Sequence, residues 1–280
     1  MSGYSTDPGD DESGDIGTHR DRSGLAVGSL GRAAGRLVRE PILFLPFAAF
    51  ALVLTGVDVL RRRDPIPAIT WESVTPGTIN VDYALYPTPQ SQTVRPLQAL
   101  IDLDVPYLLW AAGLEFLVIG SIVLAGVIVI NQGLADARID TPPVRDRFAS
   151  YLGFVVAVDL LGRFVGGLGV FQEMPLLIGV PVLIVAAVVG VRLFLTPVLL
   201  VAGRSLPVAI RESNQRSFGH GWSFFGLILL FGLGTWVLAS VPIVGTLLTG
   251  LFIAPLQAVT LVVVFEWVSA AEDGDTGVGA

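Results

Sequence analysis

Six long apolar segments constrain this chain more than any other feature. They lie near residues 41–60, 106–130, 148–170, 176–201, 222–241 and 243–268. Each is close to the roughly twenty residues that an α-helix needs to cross the hydrocarbon core of a bilayer. The segments are too long and too evenly apolar for barrel strands, and lipid offers no partner to open backbone groups. The sequence therefore predicts an all-α, polytopic transmembrane bundle of about six spans.

Composition agrees with a membrane protein and excludes several kinds of site. Charged residues make up 15% of the chain, against roughly 25% in soluble domains. All 17 basic residues are Arg, and 24 acidic residues outnumber them. Because nucleic acid needs a basic face, we expect no nucleic-acid partner. A lysine-free, acidic chain is typical of halophilic organisms, and a halophilic archaeon is the expected source.

Metal and thiol chemistry have few side chains available. The chain has no Cys and only two His, His19 and His220. These cannot build a thiolate site or an imidazole cluster. The sequence also lacks a P-loop, a G-x-S-x-G motif and an H-E-x-x-H motif. We therefore expect no cofactor, no metal and no enzymatic activity.

The rest of the chain divides into tails, loops and one membrane domain. Residues 1–24 and 271–280 are predicted to be disordered tails, and 25–270 form the membrane domain. The loop 61–105 is predicted to lie outside the bilayer, where its prolines forbid a long helix. It can be a small lid over the bundle or an extended connector on the headgroups, and composition favours the connector.

Arginine distribution predicts the orientation of the bundle. If both termini lie on one side, eleven of the arginines outside the spans collect there and four lie opposite. The positive-inside tendency then places the N- and C-termini in the cytoplasm of a multi-pass protein of the cytoplasmic membrane. The run Arg61, Arg62 and Arg63 directly after the first span is the one feature that opposes this orientation.

A polar insert separates the fourth and fifth predicted spans. Ser205 suits an N-cap and Pro207 a first turn, so a short helix is predicted over 206–217. At 100° per residue, one face carries Leu206, Ala209, Ile210, Ser213 and Ser217. Three arginines of the insert are candidates for contacts with lipid headgroups or a partner: Arg204, Arg211 and Arg216. The alternative is a solvated connector whose arginines only fix topology.

The same insert resembles a known family. It is similar to uncharacterised six-span membrane proteins, including stand-alone haloarchaeal proteins and the membrane domain fused to some glycerophosphodiester phosphodiesterases. The matching positions are Pro197, Gly203, Ala209, Arg211, Ser213, Gly221 and Trp222. The resemblance implies the six-span fold over about residues 25–270 and no established activity, because the phosphodiesterase domain itself is absent here.

Ionisable residues inside spans are functional candidates because they are costly in lipid. The deeper set is Glu115, Asp159, Arg163 and Arg192. Depth along the spans predicts the pairs Glu115 with Arg163 and Asp159 with Arg192. These pairs either lock helices together or line a polar pathway. Asp58 and Glu266 lie near helix ends and are expected to reach interfacial water.

Glycines are a further sign of contact between spans. Gly162 and Gly166 have a GxxxG spacing, which predicts close packing of the third span against another helix.

These observations predict a non-enzymatic integral membrane protein that acts through lipid or protein contacts in the cell envelope. Its expected partners are membrane lipids and other membrane proteins. The alternative is a small permease that uses the buried charges. Discontinuous helices at matching places in two halves would favour the permease.

Overall fold

The computed structural model describes residues 16–70, 84–101, 103–136, 143–167, 176–242 and 244–276. Several predicted features lie outside this part of the chain. They are residues 1–15 of the first tail, 71–83 of the external loop, 168–170 of the third span and 277–280 of the last tail.

The described chain is an all-α bundle with one small β-hairpin. Its α-helices are α1 Ile16–Arg39, α2 Leu45–Arg63, α3 Val105–Asp136, α4 Val144–Gly167, α5 Leu176–Leu193, α6 Thr196–Val201, α7 Leu206–Arg216, α8 Gly221–Ala239, α9 Gly245–Leu248 and α10 Ala254–Thr276. Two 3₁₀ turns, Pro41–Phe44 and Leu97–Leu100, precede α2 and α3, and a π-helical turn, Thr249–Ile253, joins α9 to α10. Strands β1 Ile69–Thr70 and β2 Thr93–Val94 pair antiparallel, with Ile69 opposite Val94.

Five helical segments of the described chain are long and apolar enough to cross a membrane. They are Pro41–Arg63, Val105–Asp136, Gly179–Val201, Gly221–Ala239 and Gly245–Ala270. The chain is therefore a multi-pass helical membrane protein. Helix α4 corresponds to the third predicted span and is not among the five. It carries Asp159 and Arg163, and as a sixth span it stays a prediction.

Contacts between helix ends distinguish two ends of the bundle. At one end, Arg36 of α1 bonds to Asp136 at the end of α3 and to Glu266 of α10. Helix α7 also lies there, and we call this end the α7 side. At the other end, α2 finishes near the start of α3 and the start of α9. Residues 84–101 fold over that end, which we call the lid side.

The described part of the external loop is a lid. Tyr86, Gln92 and Arg95 are buried, and Arg95 is only 1% exposed. Hydrogen bonds tie this segment to the last helix, from the Gln90 amide to Thr249 Oγ1 at 3.0 Å and from Gln257 Nε2 to the Ala84 carbonyl at 3.0 Å. The expectation of an extended connector is wrong for residues 84–101. We refer to these residues as the lid.

Two spans depart from regular helix near a proline. The predicted span 176–201 breaks at Phe194 and Leu195, before Pro197 of α6. Proline has no N–H and clashes with the preceding turn, so it kinks or breaks a helix. The last span contains the π-helical turn just before Pro255. A Cβ on Gly250 in that turn would lie 2.4 Å from Ala51 Cβ of α2, so glycine permits the close approach of these elements.

The predicted tails and the short helix need small corrections. Helix α1 begins at Ile16, so residues 16–24 are helical rather than disordered. Helix α10 continues to Thr276, beyond the predicted boundary at 270. Helix α7 ends at Arg216, one residue before the predicted end.

Candidate functional site

A chain of four charged side chains crosses the lid side of the bundle. Arg61 Nη2 lies 2.5 Å from Glu115 Oε1, and Arg163 Nη2 lies 2.6 Å from Glu115 Oε2. Arg163 Nε lies 2.7 Å from Asp159 Oδ2. Helices α2, α3 and α4 supply these groups, and we call them the ionic chain. Two positive and two negative groups sum to zero, so the arrangement offsets much of the cost of removing each charge from water.

The structure brings together three of the four predicted charged residues. Glu115 and Arg163 are in contact, as depth along the spans predicts. The predicted pair of Asp159 with Arg192 is wrong, because Asp159 bonds to Arg163 one turn along its own helix. Arg192 lies on the α7 side, where its Nη1 donates to the Asn214 carbonyl at 3.3 Å.

Arg61 is the member that sequence reasoning missed. It belongs to the triple-arginine run that was treated only as a topology signal. The Arg61 side chain is 3% exposed, and it also donates to the Thr93 carbonyl of the lid at 2.9 Å. Arg62 donates to Gln92 Oε1 at 2.9 Å. Two of the three arginines are thus engaged by protein groups, which weakens the run as an argument for the reverse orientation.

Asp58 accepts five hydrogen bonds, four from the lid and one from α9. Its Oδ1 accepts from Ser91 Oγ at 2.7 Å, the Thr93 amide at 3.1 Å and Thr93 Oγ1 at 2.5 Å. Its Oδ2 accepts from the Gln92 amide at 3.1 Å and from Thr246 Oγ1 at 2.9 Å. Asp58 is 5% exposed. The expectation that it reaches interfacial water is wrong, because the lid covers the end of α2.

A second ion pair ties the lid to the ionic chain. Arg95 Nη2 lies 2.5 Å from Asp64 Oδ2, and Trp110 Nε1 donates to the same oxygen at 3.2 Å. Arg163 Nη1 in turn donates to the Arg95 carbonyl at 3.3 Å. The lid backbone is therefore in direct contact with the charges of α4.

A cavity of about 690 Å³ lies beneath the lid. The lid, Arg61, Asp159 and Arg163 line its outer part. Its deeper walls are apolar and come from three helices, with Leu54, Val118, Ile122 and Val158 among them. Ile122 is seven residues beyond Glu115 on α3, or about 10 Å at 1.5 Å per residue. The cavity is thus polar near the lid and apolar toward the middle of the bundle.

Gly162 contributes space to this cavity rather than a helix contact. A Cβ added there would have no heavy atom within 4 Å. The GxxxG spacing predicted close packing at this position, and that prediction is wrong for Gly162. The absent side chain instead widens the cavity beside Asp159 and Arg163.

Helix α7 fastens the broken span instead of standing free. Ser213 Oγ donates to the Arg192 carbonyl at 2.7 Å and accepts from the Leu195 amide at 3.2 Å. Ser217 Oγ donates to the Val191 carbonyl at 3.0 Å. These two hydroxyls bond to backbone groups beside the break between α5 and α6. Of the predicted apolar face, Ile210 is 40% exposed and is not part of this contact.

The three candidate arginines of the insert have different surroundings. Arg211 is exposed. Arg204 Nε lies 3.4 Å from Glu212 Oε1, and the Arg204 side chain is largely exposed. Arg216 lies over the Phe265 ring at 5.2 Å from its centroid. The structure therefore leaves Arg204 and Arg211 exposed and turns Arg216 toward α10.

Charges on the α7 side form a separate group around Arg36. This side chain lies 2.6 Å from Asp136 Oδ2 and 3.2 Å from Glu266 Oε1. Burial acts to lower the pKa of Arg36, but the two carboxylates outweigh it and raise that pKa above its usual value. Glu266 remains partly exposed, but it is not near a helix end, because α10 continues to Thr276.

Comparisons with known proteins add no assignment. No family model, no curated protein and no solved structure matches the chain. The resemblance to the six-span family therefore stays a prediction. Within the described residues, no three His, Asp or Glu side chains are grouped as metal ligands would be.

Proposed function

We propose that this protein is a non-enzymatic, lipid-binding protein of the cytoplasmic membrane that holds one amphiphilic molecule in the cavity beneath its lid. The observation that carries the proposal is the polarity of the cavity, with the ionic chain near the lid and apolar walls deeper in the bundle. A lipid has the same order of polarity along its length. The volume of about 690 Å³ falls within the range of ligand cavities, roughly 300–1,000 Å³.

The charge balance favours a neutral or zwitterionic head. Arg61 and Arg163 already share Glu115, and Arg163 also bonds to Asp159. An anionic head would have to displace a carboxylate from one of these arginines. Hydroxyl, amide or zwitterionic groups can instead bond to the edges of the ionic chain without leaving a buried charge unpaired.

Side chains around the cavity give little support to catalysis. The pair that most resembles a nucleophile and its general base is Ser91 and Asp58, because the Ser91 hydroxyl donates to the Asp58 carboxylate. That carboxylate also accepts four other hydrogen bonds, so it has little remaining capacity to take a proton. Binding is therefore the better-supported role.

Packing deeper in the bundle supports binding over the alternative of a small permease. A Cβ on Gly126 of α3 would lie 2.7 Å from Tyr151 Oη of α4, and Tyr151 is fully buried. Gly133 of α3 is similarly close to Val262 of α10. These contacts fill the bundle between the cavity and the α7 side, and transport would require them to separate.

The orientation of the bundle is part of the proposal. The eleven-to-four distribution of arginines supports an orientation with α7 and both termini in the cytoplasm and the lid outside. The site would then take its lipid from the outer leaflet. Other membrane proteins are the second class of partner, and they would meet the exposed apolar faces of the spans.

The experiment fills the cavity and measures bound lipid. Gly162→Phe places a ring in open space beside Asp159, whereas Gly153→Phe adds the same ring on α4 at an exposed glycine with equally open surroundings. Delipidated proteins are titrated with phosphatidylcholine in detergent and analysed by native mass spectrometry. We expect the wild type and Gly153→Phe each to bind one more phosphatidylcholine than Gly162→Phe does. Equal binding by all three proteins would contradict the proposal.

A further inference from the structure

A second cavity, of about 540 Å³, lies on the α7 side between α5 and α8. Its inner walls include Ile184, Ala187 and Val188 of α5 and Phe225 of α8. Phe218, Trp222 and Arg192 lie at its end near α7. We call this cavity the α5–α8 groove.

Lipid must cover the α5–α8 groove because its walls belong to spanning segments. Ile184 and Val188 lie within Gly179–Val201, and both are more than half exposed. Trp222 is 83% exposed at the start of α8, and Phe218 just before it is also exposed. Aromatic side chains at helix ends are typical of the interface between headgroups and hydrocarbon. The groove therefore runs from headgroup depth into the acyl region.

Arg192 is fixed at the headgroup end with its charge not neutralised. Its guanidinium carbon lies 3.8 Å from the centroid of the Phe218 ring, and its Nη1 donates to the Asn214 carbonyl. Within the described residues, no carboxylate lies within 4 Å of it. Arg36, Arg61, Arg95, Arg163 and Arg204 all have such partners. The ring and the carbonyl hold the side chain in place, and its remaining N–H groups can serve a ligand.

We propose that the α5–α8 groove is a specific site for one anionic phospholipid. The phosphate pairs with Arg192, and one acyl chain lies along Ile184, Val188 and Phe225. Guanidinium groups suit phosphate oxygens because they donate two parallel hydrogen bonds. This site differs from the cavity under the lid in side of the bundle, in net charge and in the lipid class it selects.

The test compares two lipids and three variants at low ionic strength. Arg192→Gln keeps a donor for the Asn214 carbonyl but removes the charge. Arg211→Gln removes one exposed arginine of α7 and is the matched control. Ala187→Phe narrows the groove and leaves Arg192 unchanged. All proteins in this test also carry Gly162→Phe, which closes the cavity beneath the lid. The delipidated proteins are titrated with phosphatidylglycerol and phosphatidylcholine, and binding is counted by native mass spectrometry, with thermal unfolding to confirm that each variant is folded.

We expect the wild type and Arg211→Gln to prefer phosphatidylglycerol. Arg192→Gln should reduce that preference about fivefold, the effect of one arginine near a lipid surface. Ala187→Phe should weaken both lipids, because acyl chain contacts are lost. If Arg192→Gln and Arg211→Gln lose the preference for phosphatidylglycerol equally, the preference comes from general surface charge. That result would overturn the proposal of a specific site. Unchanged binding in Ala187→Phe would show that the groove is not occupied and would also overturn it.

Discussion

Asp58 provides the sharpest test of how the lid is held. Replacement by Asn keeps the size of the side chain and one carbonyl oxygen. That oxygen can still accept from Ser91 and Thr93, but the new NH₂ group faces the donors of Oδ2. Thr246 can rotate its hydroxyl to accept instead, whereas the Gln92 amide cannot. One buried N–H then has no acceptor.

The expected cost follows from that single unsatisfied amide. A buried donor without a partner costs about 1–3 kcal/mol. Opening the lid would return the amide to water and remove the penalty, whereas the bundle beneath loses no contact. The free energy of lid opening should therefore fall by about 1–3 kcal/mol, which is roughly a fivefold to 150-fold increase in the population of open lid.

Hydrogen exchange of the lid amides measures this change directly. In Asp58→Asn we expect the amides of residues 91–94 to exchange about fivefold to 150-fold faster, with unchanged rates in α3 and α10. Glu266→Gln is the control, since it makes the same chemical change on the α7 side and should leave the lid as in the wild type. Wild-type exchange in a folded Asp58→Asn protein would refute this reasoning. Equal acceleration of lid and bundle would show that Asp58 stabilises the whole fold.

Three further predictions concern the ionic chain, α7 and the orientation. Glu115→Gln leaves two guanidinium groups beside a neutral amide, and we expect the free energy of unfolding, measured by heat or denaturant, to fall by about 3–5 kcal/mol. Strictly additive losses in the Glu115→Gln, Arg163→Gln double variant would argue against direct coupling of the two side chains. Ser213→Val should speed hydrogen exchange in α7 more than Ile210→Glu does, because the serine bonds to the broken span whereas the isoleucine is partly exposed. Faster exchange in Ile210→Glu than in Ser213→Val would argue against the serine contact. A reporter fused after Ala280 should be found in the cytoplasm. A reporter found outside the cell would show that the orientation is the reverse of the predicted one.

Hydropathy made the membrane fold predictable, because a twenty-residue apolar run has few alternatives in a bilayer. The helix over 206–217 was also predictable, since Ser205 and Pro207 mark its start. The break at Phe194 and Leu195 was not predicted. A proline such as Pro197 interrupts a helix without fixing where the break falls, and the local sequence does not show that Ser213 bonds across the break.

The site was only partly predictable because depth taken from the midpoint of an apolar run assumes one continuous helix, and the run 176–201 is broken after Leu193. Matching depth correctly paired Glu115 with Arg163, yet it also paired Asp159 with Arg192, which lies at the other end of the bundle. Arg61 and Asp58 were misjudged for a different reason. Both lie near the end of α2, and nothing in the local sequence shows that a lid about thirty residues later folds back to bury them.

Photo-crosslinking with a zwitterionic lipid that carries a diazirine in its acyl chain tests the occupied cavity most directly. Val118 and Ile122 of α3 line the cavity and are buried, whereas Phe116 of the same helix faces outward and is 77% exposed. Bulk lipid can label Phe116, but only a lipid inside the cavity can reach the other two. The proposed function predicts labelling at Val118 and Ile122 that Gly162→Phe abolishes while labelling at Phe116 persists. Labelling confined to Phe116 and other outward positions, in wild type and variant alike, would contradict the presence of a lipid beneath the lid.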